Sequence, residues 1–416
     1  MRVLQGAGFQ GLWVLGILIV GVISDARSND WPQWRGPNRD GICEEEGLLD
    51  EWPAGGPRLL WKATGLGEGF SGPAIVGDRL FSMGSAGGQE WVFCLDLTKE
   101  GKPVWGTPLG QVRHKGGGYP GPRATPTIDG DQLFTLGISG DLACLDARSG
   151  KPAWRVDLTR DLGGSAPQWG YSESVLVDGP VVLCTPGGQR ATMAALNKKN
   201  GRPVWTAPIG DPAAYSSIIK ANLAGVPQYV TLTGKGVIGV AAKDGTPLWR
   251  YDRPANSTAS IPTCIHYGQT IFGASGYGTG GGAVWIKRSG NGFVAEELYF
   301  TKDMQNHHGG VIRVGDYLYG ASNPGILTCI NYRTGETVWR ERKPGKCSLL
   351  YADGMLYCRD EKGPITLVEA THEGYREHGR FDQPDRSERE AWPHPVIADG
   401  KLYIRDQDVL LCYQVK

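Results

Sequence analysis

The chain has 416 residues, and its 43 Lys and Arg are balanced by 43 Asp and Glu, for a net charge of zero. No basic excess exists to condense on phosphates, which excludes nucleic-acid binding as a main role. With 63 Gly, 27 Pro and 14 Trp against 5 Met, the composition argues against a helical bundle or coiled coil. The glycines follow no three-residue period, so collagen is excluded. A 40% hydrophobic share argues against disorder. Length by itself suggests two or three domains, although all-β folds often run longer as single units.

Residues 1–26 read as a secretory signal peptide. Arg2 supplies the positive charge, Leu12 to Ile23 the apolar run, and Ser24 and Ala26 the small residues before cleavage near Arg27. An uncleaved anchor is the alternative. No other segment suggests a membrane span, so the mature chain is expected in the periplasm or outside the cell. Cys43 lies too far from the apolar run for a lipid-modified start. Residues 27–56 form an N-terminal extension, expected to wrap the outside of the domain that follows.

From residue 57 onward one pattern repeats: an apolar strand ending near Leu-Asp, a Gly turn, then Trp. It runs from Cys94-Leu95-Asp96 through Gly101 to Trp105, and from Cys144-Leu145-Asp146 through Gly150 to Trp154. Weaker copies reach Trp205, Trp249 and Trp339, Tyr299 takes the place once, and a copy near Glu369 to Phe381 has lost it. The interval is 40 to 51 residues. Between these copies lie eight hairpins, at Ile75 to Phe81, Ile128 to Phe134, Val175 to Leu183, Leu223 to Val230, Ile265 to Phe272, Ile312 to Tyr319, Leu349 to Tyr357 and Val396 to Tyr403. Four short strands per unit describe the blade of a β-propeller. The last unit lacks its Trp strand, and Arg58 to Ala63 is an orphan Trp strand that can complete it. The expectation is therefore an all-β, eight-bladed propeller over 57–416, closed by an N-terminal strand, with no second domain. The periodic Trp residues are expected to pack between blades.

Nine cysteines without a Cys-x-x-Cys exclude the common zinc and haem-attachment motifs. Cys94, Cys144, Cys329 and Cys412 share one repeat position, which suits a small core residue. Cys347 and Cys358 flank one hairpin, and a disulfide between them depends on a register that the sequence leaves open.

The unit Cys144-Leu145-Asp146-Ala147-Arg148-Ser149-Gly150-Lys151-Pro152-Ala153-Trp154 resembles the tryptophan-docking repeat of pyrroloquinoline-quinone (PQQ) type propellers. With Asp30-Trp31-Pro32-Gln33-Trp34-Arg35-Gly36-Pro37, the chain is similar to secreted bacterial PQQ-like propellers. The resemblance implies an eight-bladed ring. It also implies two special functions. One is a quinoprotein-like dehydrogenase that oxidises alcohols or sugars with PQQ and calcium. The other is an outer-membrane assembly adaptor that docks on an envelope protein. This chain lacks the adjacent cysteine pair of the dehydrogenases and is much shorter than they are. It also lacks the adaptor's anchoring cysteine. No calcium ligand or catalytic aspartate carries over.

In a propeller the approach to each first strand faces a central funnel. Here these approaches carry a chemically rich set: Arg123, Trp169, Tyr171, Glu173, Tyr215, His307, His308, Trp392 and His394. Converging aromatics and a few polar groups describe a small-molecule site. Each also has a plain structural reading: Arg123 as an ion-pair partner, the aromatics as channel plugs, a histidine bonded to backbone. His307 and His308 are strand neighbours, so at most one is expected to face the funnel. Glu173 has no evident acid partner, and no catalytic residue or metal ligand is assigned. Gly276 to Gly282 reads as a hairpin loop, since no helix or Lys-Ser/Thr follows it. Gln111 to Pro122 reads as a solvated loop beside the mouth. The favoured function is a scaffold that binds a small molecule or an envelope protein through the funnel. The dehydrogenase and the assembly adaptor are the alternatives.

Overall fold

Each predicted hairpin and Trp strand folds into one antiparallel four-stranded meander, and eight meanders close a ring. The computed structural model describes residues 29–114 and 116–416; the signal peptide expected at 1–26 lies outside them. Blades one to seven run over 74–111, 127–157, 176–207, 219–251, 265–301, 306–341 and 347–381. Blade eight takes three strands from 396–414, and Leu59–Ala63 completes it by pairing antiparallel with Val409–Gln414. Both ends of the ring are thus hydrogen-bonded into one sheet, which leaves no gap for a stray strand.

The outer rim is held by the repeat. In blade two, Gly150 sits at φ 70°, and the Trp105 ring of blade one lies against it. A Cβ there would stand 2.5 Å from that ring. Only Gly permits both the turn and the contact. Trp61, Trp154 and Trp205 meet Gly101, Gly201 and Gly245 in the same way, and Tyr299 meets Gly335. Trp105, Trp154 and Trp339 also donate their indole N–H to a carbonyl of the next blade. Trp249 departs from the pattern. It packs over Gly239 of its own blade and donates to Gln228 at 2.7 Å. Blade seven has lost its Trp, and Trp52 of the extension packs there on Tyr357 and Phe381.

The extension does not simply wrap the outside. Residues 31–43 cross one end of the bore. Trp31 pairs with Ile75 of blade one, and Pro32 accepts from Ile128 of blade two. Arg39 donates to the Ser174 and Val175 carbonyls of blade three, and Arg35 to the Val311 carbonyl of blade six. Ile42–Cys43 then adds a parallel fifth strand to blade seven. Two buried arginines and a run of backbone bonds make this a built plug, because the first-strand backbones offer groups that would otherwise go unpaired.

The cysteines behave as core residues. All nine are buried thiols without a disulfide. Cys347 lies opposite Asp360, and Cys358 opposite Leu349, so the two are diagonal neighbours rather than a facing pair.

Candidate functional site

The plug closes one end of the bore and leaves a cavity of about 370 Å³ at the other. Its floor is Trp34 and Arg35 of the extension. Its walls are the approaches to the first strands. Arg123, Trp169, Tyr215, His307, His308, Trp392 and His394 are brought together around it.

Tyr171 and Glu173 are not. Tyr171 is only 1% exposed; its ring packs on Gly140, and its hydroxyl donates to the Pro186 carbonyl at 2.7 Å. Glu173 accepts from the Thr185 amide at 2.7 Å and the Thr185 hydroxyl at 3.0 Å. Burial pushes its carboxyl up to about 7. Past Gly170 the chain dives between blades, so only Trp169 and Ser172 of this segment stay at the mouth.

His307 and His308 also differ from expectation, because both rings reach the cavity. The pairing of this strand with its neighbour slips between Asn306 and Val311, where Gly309 and Gly310 allow a bulge. A bulge breaks strict alternation. The Nδ1 atoms of the two rings are 3.2 Å apart, and His307 Nε2 is 2.7 Å from the Tyr277 hydroxyl. Burial, with a smaller contribution from the Lys346 charge, pushes the His307 imidazole down to about 3. Burial also holds His308 well below its ordinary value. His394 is pushed down to about 3, chiefly by burial, and its Nε2 is 3.0 Å from the His308 carbonyl. At neutral pH all three rings are uncharged.

Two guanidinium groups dominate the electrostatics. Arg123 donates through Nη2 to the carbonyls of Tyr119 at 2.5 Å and Gly116 at 3.3 Å. Those carbonyls belong to the Gln111–Pro122 loop, which lies over the wall; its own Arg113 is neutralised by Asp141 and Asp157. The Nη1 of Arg123 is enclosed and has no partner among the described residues. Arg35 spends its Nη2 on the Asp40 and Val311 carbonyls, and its Nη1 is likewise unpartnered. Neither side chain is in an ion pair among the described residues. Burial lowers both to about 10, so both stay charged at neutral pH. Lys346 is the third cation, paired with Glu361 at 3.1 Å. By contrast Arg405, also buried, is spent on backbone carbonyls and the Ser82 hydroxyl between blades eight and one.

Trp34, Arg35, Tyr277 and Glu361 went unpredicted. Two tryptophans within Trp31-Pro32-Gln33-Trp34, outside the repeat, were the available signal for the first two. Tyr277 sits at φ 54° in the loop between Thr270–Ser275 and Gly280–Ser289, and it is 47% exposed.

The family model described as "Outer membrane protein assembly factor BamB" matches residues 88–341 and 277–408. Outer membrane protein assembly factor BamB of Shewanella oneidensis is 24% identical over 261 residues, which cover 59% of this chain and 64% of that protein. The chain thus spans just under two thirds of that relative's length. Among solved structures, BamB of Moraxella catarrhalis superposes with a TM-score of 0.61 at 15% identity, over 86% of this chain and 99% of that one. The quinohemoprotein alcohol dehydrogenase of Comamonas testosteroni reaches 0.68 at 11% identity, over 93% and 81%. At these identities the structures share the fold.

The cavity does not fit PQQ with calcium. The unpartnered guanidinium N–H groups suit carboxylates. However, a calcium ion asks for about six to eight oxygen donors, usually several of them carboxylate, and the described residues contain no cluster of three His, Cys, Asp or Glu side chains placed to hold a metal. The lining carboxylates are Glu361, held by Lys346 and by the Trp392 indole at 3.3 Å, and Glu390.

Proposed function

The chain belongs to the PQQ-type propeller family described as outer membrane protein assembly factor BamB, and on that premise we propose that it is a binding scaffold whose funnel takes a small anionic molecule. The observation that carries this is the pair Arg123 and Arg35. Two cations without a carboxylate partner among the described residues, Arg35 buried in the floor and Arg123 half-buried in the wall with its Nη1 enclosed, are costly until an anion neutralises them. Aromatic walls with a few convergent polar groups supply the rest of such a site. Residues 57–416 act as the single propeller unit, in the periplasm or outside the cell.

Trp34, Trp169 and Trp392 line the cavity, so their fluorescence is the readout. Matched pairs of anionic and neutral compounds, such as benzoate with benzyl alcohol and galacturonate with galactose, are titrated against the folded protein. Anions are expected to shift the emission where their neutral partners do not, and Arg123→Gln is expected to narrow the difference. A response equal for both members of each pair would overturn the reading.

The relatives' name favours a second reading, an envelope-assembly adaptor that docks a protein on a face or edge of the ring. Capture of that partner would then survive Arg123→Gln unchanged.

A further inference from the structure

Resting on the anionic reading of the funnel, we infer that its occupant is an acidic sugar residue, a hexuronate in its pyranose form, stacked on Trp392. The argument starts from the angles between the aromatic rings. Trp392 is the hub of the mouth: Phe70 packs on it at 4.9 Å and 37°, and Tyr119 at 4.8 Å and 38°. Across the cavity Trp169 and Tyr215 meet at 57°. A flat fused-ring acid gains most from two parallel walls roughly 7 Å apart, one carbon contact on each side. These rings tilt and pack on one another, so none of these pairs forms such a slot. A puckered ring needs only one aromatic face, against which its C–H bonds lie, and Trp392 is half-buried at the cavity wall.

The edge of a pyranose carries hydroxyls, and the cavity meets them with neutral polar groups. The Ser172 hydroxyl has no partner among the described residues. Asn323 lines the same wall. The Tyr277 hydroxyl is oriented by a chain of uncharged rings, from His307 Nε2 at 2.7 Å to the two Nδ1 atoms 3.2 Å apart. In one consistent set of tautomers Tyr277 donates to His307, and His307 donates to His308. This leaves Tyr277 with an oxygen lone pair to accept from a ligand hydroxyl. The carboxylate distinguishes a uronate from a neutral hexose, and the unpaired guanidinium charge of Arg123 answers it. Arg123 approaches the Phe70 ring at 5.8 Å, and Phe70 touches Trp392, so charge and stacking face are adjacent. At about 370 Å³ the cavity is at the small end of the ~300–1,000 Å³ range of ligand clefts, which suits one or two sugar rings.

Calorimetric titration of the folded chain tests this with galacturonate, glucuronate and mannuronate, as mono- and disaccharides. Galactose and glucose serve as neutral controls, and PQQ as the flat acid. At least one uronate is expected to bind about tenfold or more tighter than its neutral counterpart. Trp392→Ala is expected to weaken it about tenfold in a chain that still folds, checked by its urea denaturation, and Arg123→Gln to narrow the gap to the neutral sugar. Uronate binding that is indifferent to Trp392→Ala, or no tighter than that of the neutral hexoses, would overturn the inference. Binding of PQQ without any uronate would overturn it too, while leaving the anionic funnel standing. No binding by any of these acids would remove both.

Discussion

The rim and the mouth of this ring are built from similar residue types used in opposite ways. At the rim, a Trp returns at one place in six of the eight blades; four of these lie on the next blade's turn Gly, and Trp105, Trp154 and Trp339 spend their N–H on a carbonyl of the next blade. At the mouth the lining residues follow no once-per-blade pattern, and several buried polar atoms there have no partner among the described residues, among them Arg35 Nη1, Arg123 Nη1, Ser172 Oγ and His308 Nε2. Repetition marks what every blade needs to stand beside its neighbour. Departure from it, with unsatisfied polar groups, marks where stability gives way to another demand. Two of the three irregular rim junctions sharpen the point. Where blade seven lacks its Trp, the extension inserts Trp52. Where Trp249 turns inward, it bonds Gln228 instead. At both rim positions an aromatic ring still fills the packing, although the Trp52 Nε1 is itself buried without a partner among the described residues.

The largest expected effect falls at the rim. Trp154 is 9% exposed, covers Gly201 and donates to the Lys198 carbonyl at 2.9 Å. Trp154→Ala should cost roughly 3–5 kcal/mol of unfolding free energy, the range for a large buried ring, measured by urea denaturation. A loss below about 1 kcal/mol would break the claim that docking holds the ring.

A smaller effect, of opposite sign, is expected beside the mouth. Glu90 is fully buried, accepts only the Ile138 amide at 3.0 Å, and has an unpartnered Oε2. Burial pushes its carboxyl from 4.5 up to about 7. Between those values the folded chain keeps a proton that the unfolded chain has released. Stability therefore falls as pH rises through that window, and the full loss is felt above it. Glu90→Gln removes the ionisation and should raise stability by roughly 3 kcal/mol near pH 8, with no gain near pH 4. A gain equal at both pH values would assign the effect to packing instead.

The ring was legible because its signal is periodic: turn glycines, Leu-Asp strand ends and Trp return at a fixed place, and the orphan strand at Trp61 closes the count. The mouth was legible only where propeller geometry puts strand approaches, which brought in Arg123, Trp169 and His394. Geometry at that level cannot say where a chain dives, so Tyr171 and Glu173 were expected at the mouth and instead lie between blades. Nor does strand alternation foresee the Gly309-Gly310 bulge that turns both His307 and His308 inward. Trp34 and Arg35 come from outside the repeat, through a plug whose bonds are nearly all to backbone. No side-chain pattern encodes such pairing.

The smallest effect on stability separates two tryptophans directly. Trp169 is half-buried, tilts against Tyr215 at 5.9 Å, and carries Gly117 of the overlying loop on its ring. It docks on no neighbouring blade's turn. Trp169→Ala should therefore cost about 1 kcal/mol or less, several-fold below Trp154→Ala, in the same urea titration. Its consequence should be local: faster amide exchange at Gly116 to Tyr119, where the Tyr119 amide now bonds the Gly116 carbonyl at 3.0 Å. Exchange should stay unchanged in the strand of blade two, Asp141–Asp146. If the two substitutions proved equally costly, position in the repeat would not be what divides structural from functional tryptophans in this ring.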